Sequence, residues 1–109
     1  MKRFITITTQ FEGIHSYPDA PKEVEFLKYP HRHIFHIKIW LQTFSDNREV
    51  EFIMFKRFVN SILTNGDLKN QSCEMISDTL ETLIKINYPN REIRIEVLED
   101  NENGSYTEY

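Results

Sequence analysis

Residues 4–15, FITITTQFEGIH, alternate in character: Ile5, Ile7, Thr9, Phe11, Gly13 and His15 fall on one side, Phe4, Thr6, Thr8, Gln10 and Glu12 on the other. Successive side chains of a strand point to opposite faces, so this period predicts a strand with its Ile/Phe face buried and His15 at its far end. Residues 31–44, HRHIFHIKIWLQTF, repeat the pattern. His31, His33, Phe35, Ile37, Ile39 and Leu41 share one face, and Arg32, Ile34, His36, Lys38 and Trp40 share the other. The stretch between the two, SYPDAPKEVEFLKYP, contains three prolines and keeps no period, which reads as a long loop with room for one short turn.

The period then changes. After a polar turn at 45–50, residues 51–66 place Phe52, Phe55, Val59, Ile62 and Leu63 at helical spacing, with Asn65-Gly66 as the stop. DLKNQ reads as a linker. Residues 72–89 open on Ser72 as N-cap, carry a stripe of Ile76, Leu80, Leu83, Ile84 and Asn87, and end at Pro89. Alternation returns in 91–100, where Ile93, Ile95, Val97 and Glu99 share a face. NENG at 101–104 signals a hairpin turn before a short last strand, SYTEY. The order is strand, strand, helix, helix, strand, strand. It predicts an α+β fold, ββααββ, with two helices on one face of an antiparallel four-stranded sheet. The 109 residues suit one domain, 1–109. A small open sheet has edges to manage, and pairing them with sister subunits predicts a homo-oligomer.

Composition narrows the function. Three Gly and four Pro leave no long disordered tract. The formal net charge of −4, with basic residues scattered, argues against a nucleic-acid partner. No apolar run approaches the ~20 residues of a spanning helix, so no membrane role is expected. The opening MKRFITITTQFE reads as a strand rather than a leader, and the single cysteine, Cys73, allows no intrachain disulfide. Both fit a cytoplasmic protein.

The chemistry lies in the histidines. If the first two strands pair antiparallel across the 16–30 connection, His15, His31 and His33 converge at one end of the hairpin on the apolar face. Three neutral imidazoles around an open fourth position form a catalytic zinc arrangement. An H-x-H on a strand is weak alone, and the third histidine on the same face strengthens it. His36 points the other way. Glu99 is a carboxylate on a face that should be buried, and stands either just beyond the core or as a ligand anchor. Carboxylates suit the amino-pyrimidinone edge of a pterin or guanine. Glu74, in the first turn of the second helix, complements the helix dipole. Cys73 beside it reads as a small buried residue or as a nucleophile at a helix N-terminus.

These elements together resemble the 6-pyruvoyl-tetrahydropterin synthase and 6-carboxy-tetrahydropterin synthase family over nearly the whole chain. FEGIH resembles the first-strand F-x-A-x-H element, with His15 as the first zinc histidine. HRHIFHIKI resembles H-G-H followed by an aromatic strand, with His31 and His33 as the other two. REVEFIMFKRFV resembles the Asp-Phe opening of the first helix, and QSCEMISDTL the P-T-x-E-x-(I/L)-A start of the second, with Glu74 matching. IEVLED resembles the V-x-E-T strand end, which makes Glu99 the pterin-anchoring glutamate. The resemblance implies the tunnelling fold, trimers or hexamers with a pterin pocket between subunits, and Zn2+ bound to the side-chain hydroxyls of a dihydroneopterin triphosphate. It places Glu99 and Glu74 on the substrate.

The chain also departs from that pattern. The family's catalytic cysteine commonly lies four residues before H-x-H, and position 27 is leucine. The Asp-His pair of the family is missing, although Asp67 is present, and Arg32 replaces the glycine between the histidines. Glu25, six residues before His31, and Glu23 are candidate substitute bases, Glu25 the preferred one, since a glutamate near zinc can move protons. Two functions follow as expectations. One is a zinc-dependent lyase acting on a dihydroneopterin-type pterin phosphate. The other is a catalytically silent relative that binds or sequesters a pterin, guanine-like or nucleotide ligand. A metal-free protein would favour a third, structural oligomer.

Overall fold

The computed structural model describes residues 1–63 and 66–109. Strand β1 (Arg3–His15) and strand β2 (His31–Thr43) pair antiparallel along their full length, from Arg3 against Thr43 to His15 against His31. The face carrying Ile7, Phe11, Phe35, Ile37, Ile39 and Leu41 is buried, as alternation predicts. Helix α1 (Phe52–Ile62) and helix α2 (Cys73–Asn87) both pack against that face. Ser72 caps α2 as expected, its hydroxyl accepting from the Met75 N–H at 3.1 Å. Strand β4 (Ile93–Glu99) pairs antiparallel with β2, and strand β5 (Asn103–Glu108) with β4.

The expected four-stranded antiparallel sheet is corrected. Among the described residues the sheet has five strands and is mixed, in the order β3-β1-β2-β4-β5. The fifth is β3 (Gly66–Lys69), which runs parallel to β1 beside Gly13, Ile14 and His15. Its sequence, GDLK, has one apolar residue and too few positions to show a period. Parallel pairing with the end of β1 gives it order instead, and the Ser16 N–H extends that pairing to the Lys69 carbonyl at 2.8 Å. A third helical piece was also unexpected. Residues Lys22–Lys28 form a 3-10 segment, broken at Val24, inside the connection read as loop.

Three smaller expectations also move. The buried arc of α2 is Cys73, Ile76, Ser77, Leu80 and Ile84, while Leu83 and Asn87 face outward. Helix α1 ends at Ile62, with the Leu63 N–H on the Val59 carbonyl; Asn65 of the expected stop lies outside the described residues. The last hairpin turns at Asp100–Glu102, so Asn103 and Gly104 belong to β5. Asp100 and Asn101 take positive φ of 51° and 60°, a conformation Asp and Asn tolerate better than most residues. No helix among the described residues is long and apolar enough to cross a membrane.

Candidate metal centre

The three histidines meet where the hairpin ends. His15 and His31 are direct cross-strand partners, and His33 stands opposite Gly13. All three side chains lie on the apolar face, where period two places 11, 13 and 15 on β1 and 31, 33 and 35 on β2. The ring centroids are 4.6 Å apart for His15 and His31, 5.3 Å for His15 and His33, and 5.0 Å for His31 and His33. Phe35 forms the wall behind them, 5.2 Å from the His15 ring and 5.9 Å from the His33 ring, edge to face in both cases. Gly13 leaves the space that Leu68 of β3 occupies: a Cβ there would stand 2.6 Å from a Leu68 methyl and 3.1 Å from the Phe35 ring.

Each ring is oriented by a partner on Nδ1. His15 Nδ1 lies 2.8 Å from the Gln71 carbonyl, just before α2. His31 Nδ1 lies 2.8 Å from the Tyr29 carbonyl. His33 Nδ1 lies 2.6 Å from an Asp100 carboxylate oxygen. A carbonyl or a carboxylate can only accept, so in each case Nδ1 carries the proton and donates. In the neutral ring that leaves the Nε2 lone pair free. One ring nitrogen from each histidine lies within 4.8 Å of the others, and the cluster could hold a metal ion.

The charge distribution fits a cation. His15 Nε2 and His33 Nε2 are buried and have no hydrogen-bond partner among the described residues. Facing them is the Glu99 carboxylate, one oxygen 3.1 Å from His15 Nε2 and the other 3.3 Å from His33 Nε2. These contacts have ion-pair distances without hydrogen-bond geometry. With the rings neutral, both Nε2 lone pairs face the carboxylate, and a cation held between them would satisfy all three groups. The imidazole donor set suits borderline metals such as zinc, copper, iron or nickel better than magnesium or calcium.

A cleft of about 580 Å³ opens beside the cluster. His15, His31, Glu99, Cys73, Glu74 and Leu27 are among its lining residues. Glu74 and Glu99 therefore share one cleft with His15 and His31, and so does position 27. Glu25 is exposed on the 3-10 segment and does not line the cleft. Arg32 points to the opposite face of the sheet, where its guanidinium is 2.7 Å from Glu12. Asp67 accepts from the Lys69 N–H within β3. A second cleft, of about 420 Å³, lies among Arg3, Phe4, Val50 and Phe52 and contains none of the histidines.

Cys73 lies at the start of α2, its sulfur 3.9 Å from Glu99. Burial pushes the thiol up to about 12, and the charges of Glu99 and Glu74 push the same way. The thiol is thus neutral at ordinary pH, which leaves the small buried residue as its role here. Asp100 behaves in the opposite sense. The His33 ring N–H, then the Ile34 N–H, hold its carboxyl below the usual carboxylate range. Asp100 escapes sequence reasoning because NENG at 101–104 signals the turn after it. The Asp-Asn pair at 100–101, two residues that tolerate positive φ, was the available signal.

Comparison with models of known families gave no match for this chain, and comparison with curated proteins gave no significant one.

Proposed function

We propose that the protein is a zinc-dependent lyase, similar to 6-pyruvoyl- or 6-carboxy-tetrahydropterin synthase, that acts on a dihydroneopterin-type pterin phosphate. The observation that carries this reading is the convergence of three histidines, each oriented through Nδ1, two of which, His15 and His31, line a cleft that also contains Glu99 and Glu74. The motif order supplies the substrate class. His15, His31 and His33 would hold zinc, which would act as a Lewis acid toward a side-chain oxygen of the substrate. Glu99, its carboxylate turned away from His15 and His33, would accept from the amino-pyrimidinone edge, and Glu74 would bind at the cleft rim. The reaction class is cleavage of a carbon–oxygen or carbon–carbon bond in the side chain. The single cysteine suits a reducing, cytoplasmic setting.

Oligomerisation belongs to the same proposal. Beyond the Gly13–His15 pairing with β3, no strand among the described residues covers the outer edge of β1, and β5 has a free edge as well. Edges of that length call for a partner, and a trimer or hexamer of this chain supplies one. Light scattering on the purified protein checks it.

A second reading has its own support. The cleft presents Leu27 where the resemblance expects the catalytic cysteine, and the Cys73 thiol is held neutral. Both favour a relative that binds a pterin, guanine-like or nucleotide ligand without turnover. One experiment separates the readings. Zinc-loaded protein is incubated with 7,8-dihydroneopterin triphosphate and the products are read by mass spectrometry, with a His31→Ala, His33→Ala variant as control. Zinc-dependent formation of a new pterin supports the lyase. Bound but unchanged substrate supports sequestration. Glu25→Gln then tests the base: lost turnover with retained binding would assign it to the 3-10 segment, and unchanged turnover would remove it.

A further inference from the structure

We propose that Asp100 is a positioning residue of the metal centre, fixing His33 in the tautomer that can bind metal. The inference rests on the metal reading above. Ladder pairing between β2 and β4 ends at Phe35 against Glu99. Asp100 follows at once, in the left-handed conformation, and the Glu102 N–H closes the turn on the Glu99 carbonyl at 2.9 Å. From that position one residue makes three bonds back to β2. Its N–H donates to the Ile34 carbonyl at 2.7 Å. One carboxylate oxygen accepts from the Ile34 N–H at 3.0 Å, and the other accepts from His33 Nδ1 at 2.6 Å.

A carboxylate is the group that satisfies this site, because two donors face it and it offers only acceptors. The three histidines differ in this respect. His15 and His31 are held by backbone carbonyls, which no side-chain substitution removes. His33 alone among them is held by a side chain. A carboxylate that accepts from the far nitrogen of a ligating imidazole fixes its tautomer and raises its basicity, and losing one typically costs about 10–100-fold in metal affinity.

Asp100→Asn is the informative variant. Asn tolerates the same left-handed backbone and has nearly the same shape, but it offers one acceptor oxygen and an NH2 group to two donors. If the NH2 faces His33, the ring shifts its proton to Nε2 and the lone pair needed for metal is lost. If it faces Ile34, the turn loses a bond. Asn101→Ala is the control, since it strains the neighbouring left-handed position and leaves the carboxylate in place.

The test measures zinc affinity of the full-length protein by competition with a chromophoric chelator. It also reads the His33 ring tautomer from the nitrogen shifts of 15N-labelled, metal-free protein. The expected result is zinc binding about 10–100-fold weaker in Asp100→Asn, a shift of the His33 proton from Nδ1 toward Nε2, and near-native behaviour of Asn101→Ala. Native affinity in Asp100→Asn, or equal weakening in Asn101→Ala, would overturn the inference. A native protein that binds no zinc would overturn the metal reading itself, and that outcome is visible before any variant is made.

Discussion

Phe35 joins the stability of the sheet to the order of the candidate metal centre, and its replacement tests both. The side chain is 0% exposed. Its ring stacks on Phe11 with centroids 5.3 Å apart and planes at 21°, and it meets the His15 and His33 rings edge to face. Phe35→Ala removes the ring from a position enclosed by β1, β2 and β4. Truncations of this kind cost about 3–5 kcal/mol, including a stacking share of about 0.5–1.5 kcal/mol. A domain of this size is stable by about 5–15 kcal/mol in total, so the variant should still fold but lose a large part of its margin. At about 4 °C or more per kcal/mol, its melting temperature should fall by at least about 12 °C. Phe35→Leu keeps much of the volume and should cost about 1–2 kcal/mol. The assay is urea denaturation followed by circular dichroism, with a chelator present so that metal adds nothing. The leucine variant, folded, should also bind zinc more weakly, because the histidine rings lose their flat wall. A loss below about 1 kcal/mol for Phe35→Ala would refute the packing described here. Native zinc affinity in Phe35→Leu would refute the wall's role in orienting the rings.

Zinc at a hundredfold excess over its dissociation constant should stabilise the native protein by about 2.7 kcal/mol, or about 10–20 °C in melting temperature. His31→Ala should lose most of that shift in differential scanning calorimetry; an equal shift would place the metal elsewhere. Cys73 should react slowly with iodoacetamide at pH 8, because burial and the Glu99 and Glu74 charges hold it as a thiol. Since its folded pKa, about 12, is raised above the ordinary 9.0, its contribution to stability is complete below about pH 9 and lost as pH climbs toward 12. Cys73→Ala should therefore show a flatter alkaline limb in a pH series of denaturation curves, and an unchanged slope would count against the buried neutral thiol.

The histidine cluster was legible because strand period is rigid. Once residues 4–15 and 31–44 keep their alternation to the ends, antiparallel pairing leaves His15, His31 and His33 on one face at one end. The partners that orient them were not legible, for a physical reason. Two are backbone carbonyls, at Tyr29 and Gln71, which no side-chain pattern encodes. The third, Asp100, acts through a left-handed turn that begins one residue before the NENG signal. Strand β3 was hidden for a similar reason. GDLK carries no period, and its order comes from the β1 edge and from Leu68 filling the space above Gly13. In α2 the buried arc turned toward Cys73 and Ser77 because the helix faces β4 and β5 together, which moved Leu83 and Asn87 outward.

Holding a metal and turning over a substrate make different demands on this site, and Leu27 lets them be separated. The metal needs ligands in place, and three independently oriented imidazoles beside a carboxylate meet that need. Turnover also needs a group that gives and takes a proton in the cleft. Cys73 is held neutral, and Glu99 is engaged with His15 and His33. Glu74 is exposed at the start of α2. Leu27, however, lines the cleft at the position where the resemblance expects a cysteine. Leu27→Cys would put a half-buried thiol into the wall of the cleft that His15 and His31 also line, where a cation on those histidines would favour the thiolate. If the native protein binds dihydroneopterin triphosphate without converting it, this variant should gain zinc-dependent product formation, measured by the same mass spectrometry. If the variant binds zinc and pterin yet still makes no product, the missing thiol is not what silences the site, and the cleft is shaped for holding its ligand rather than for breaking it.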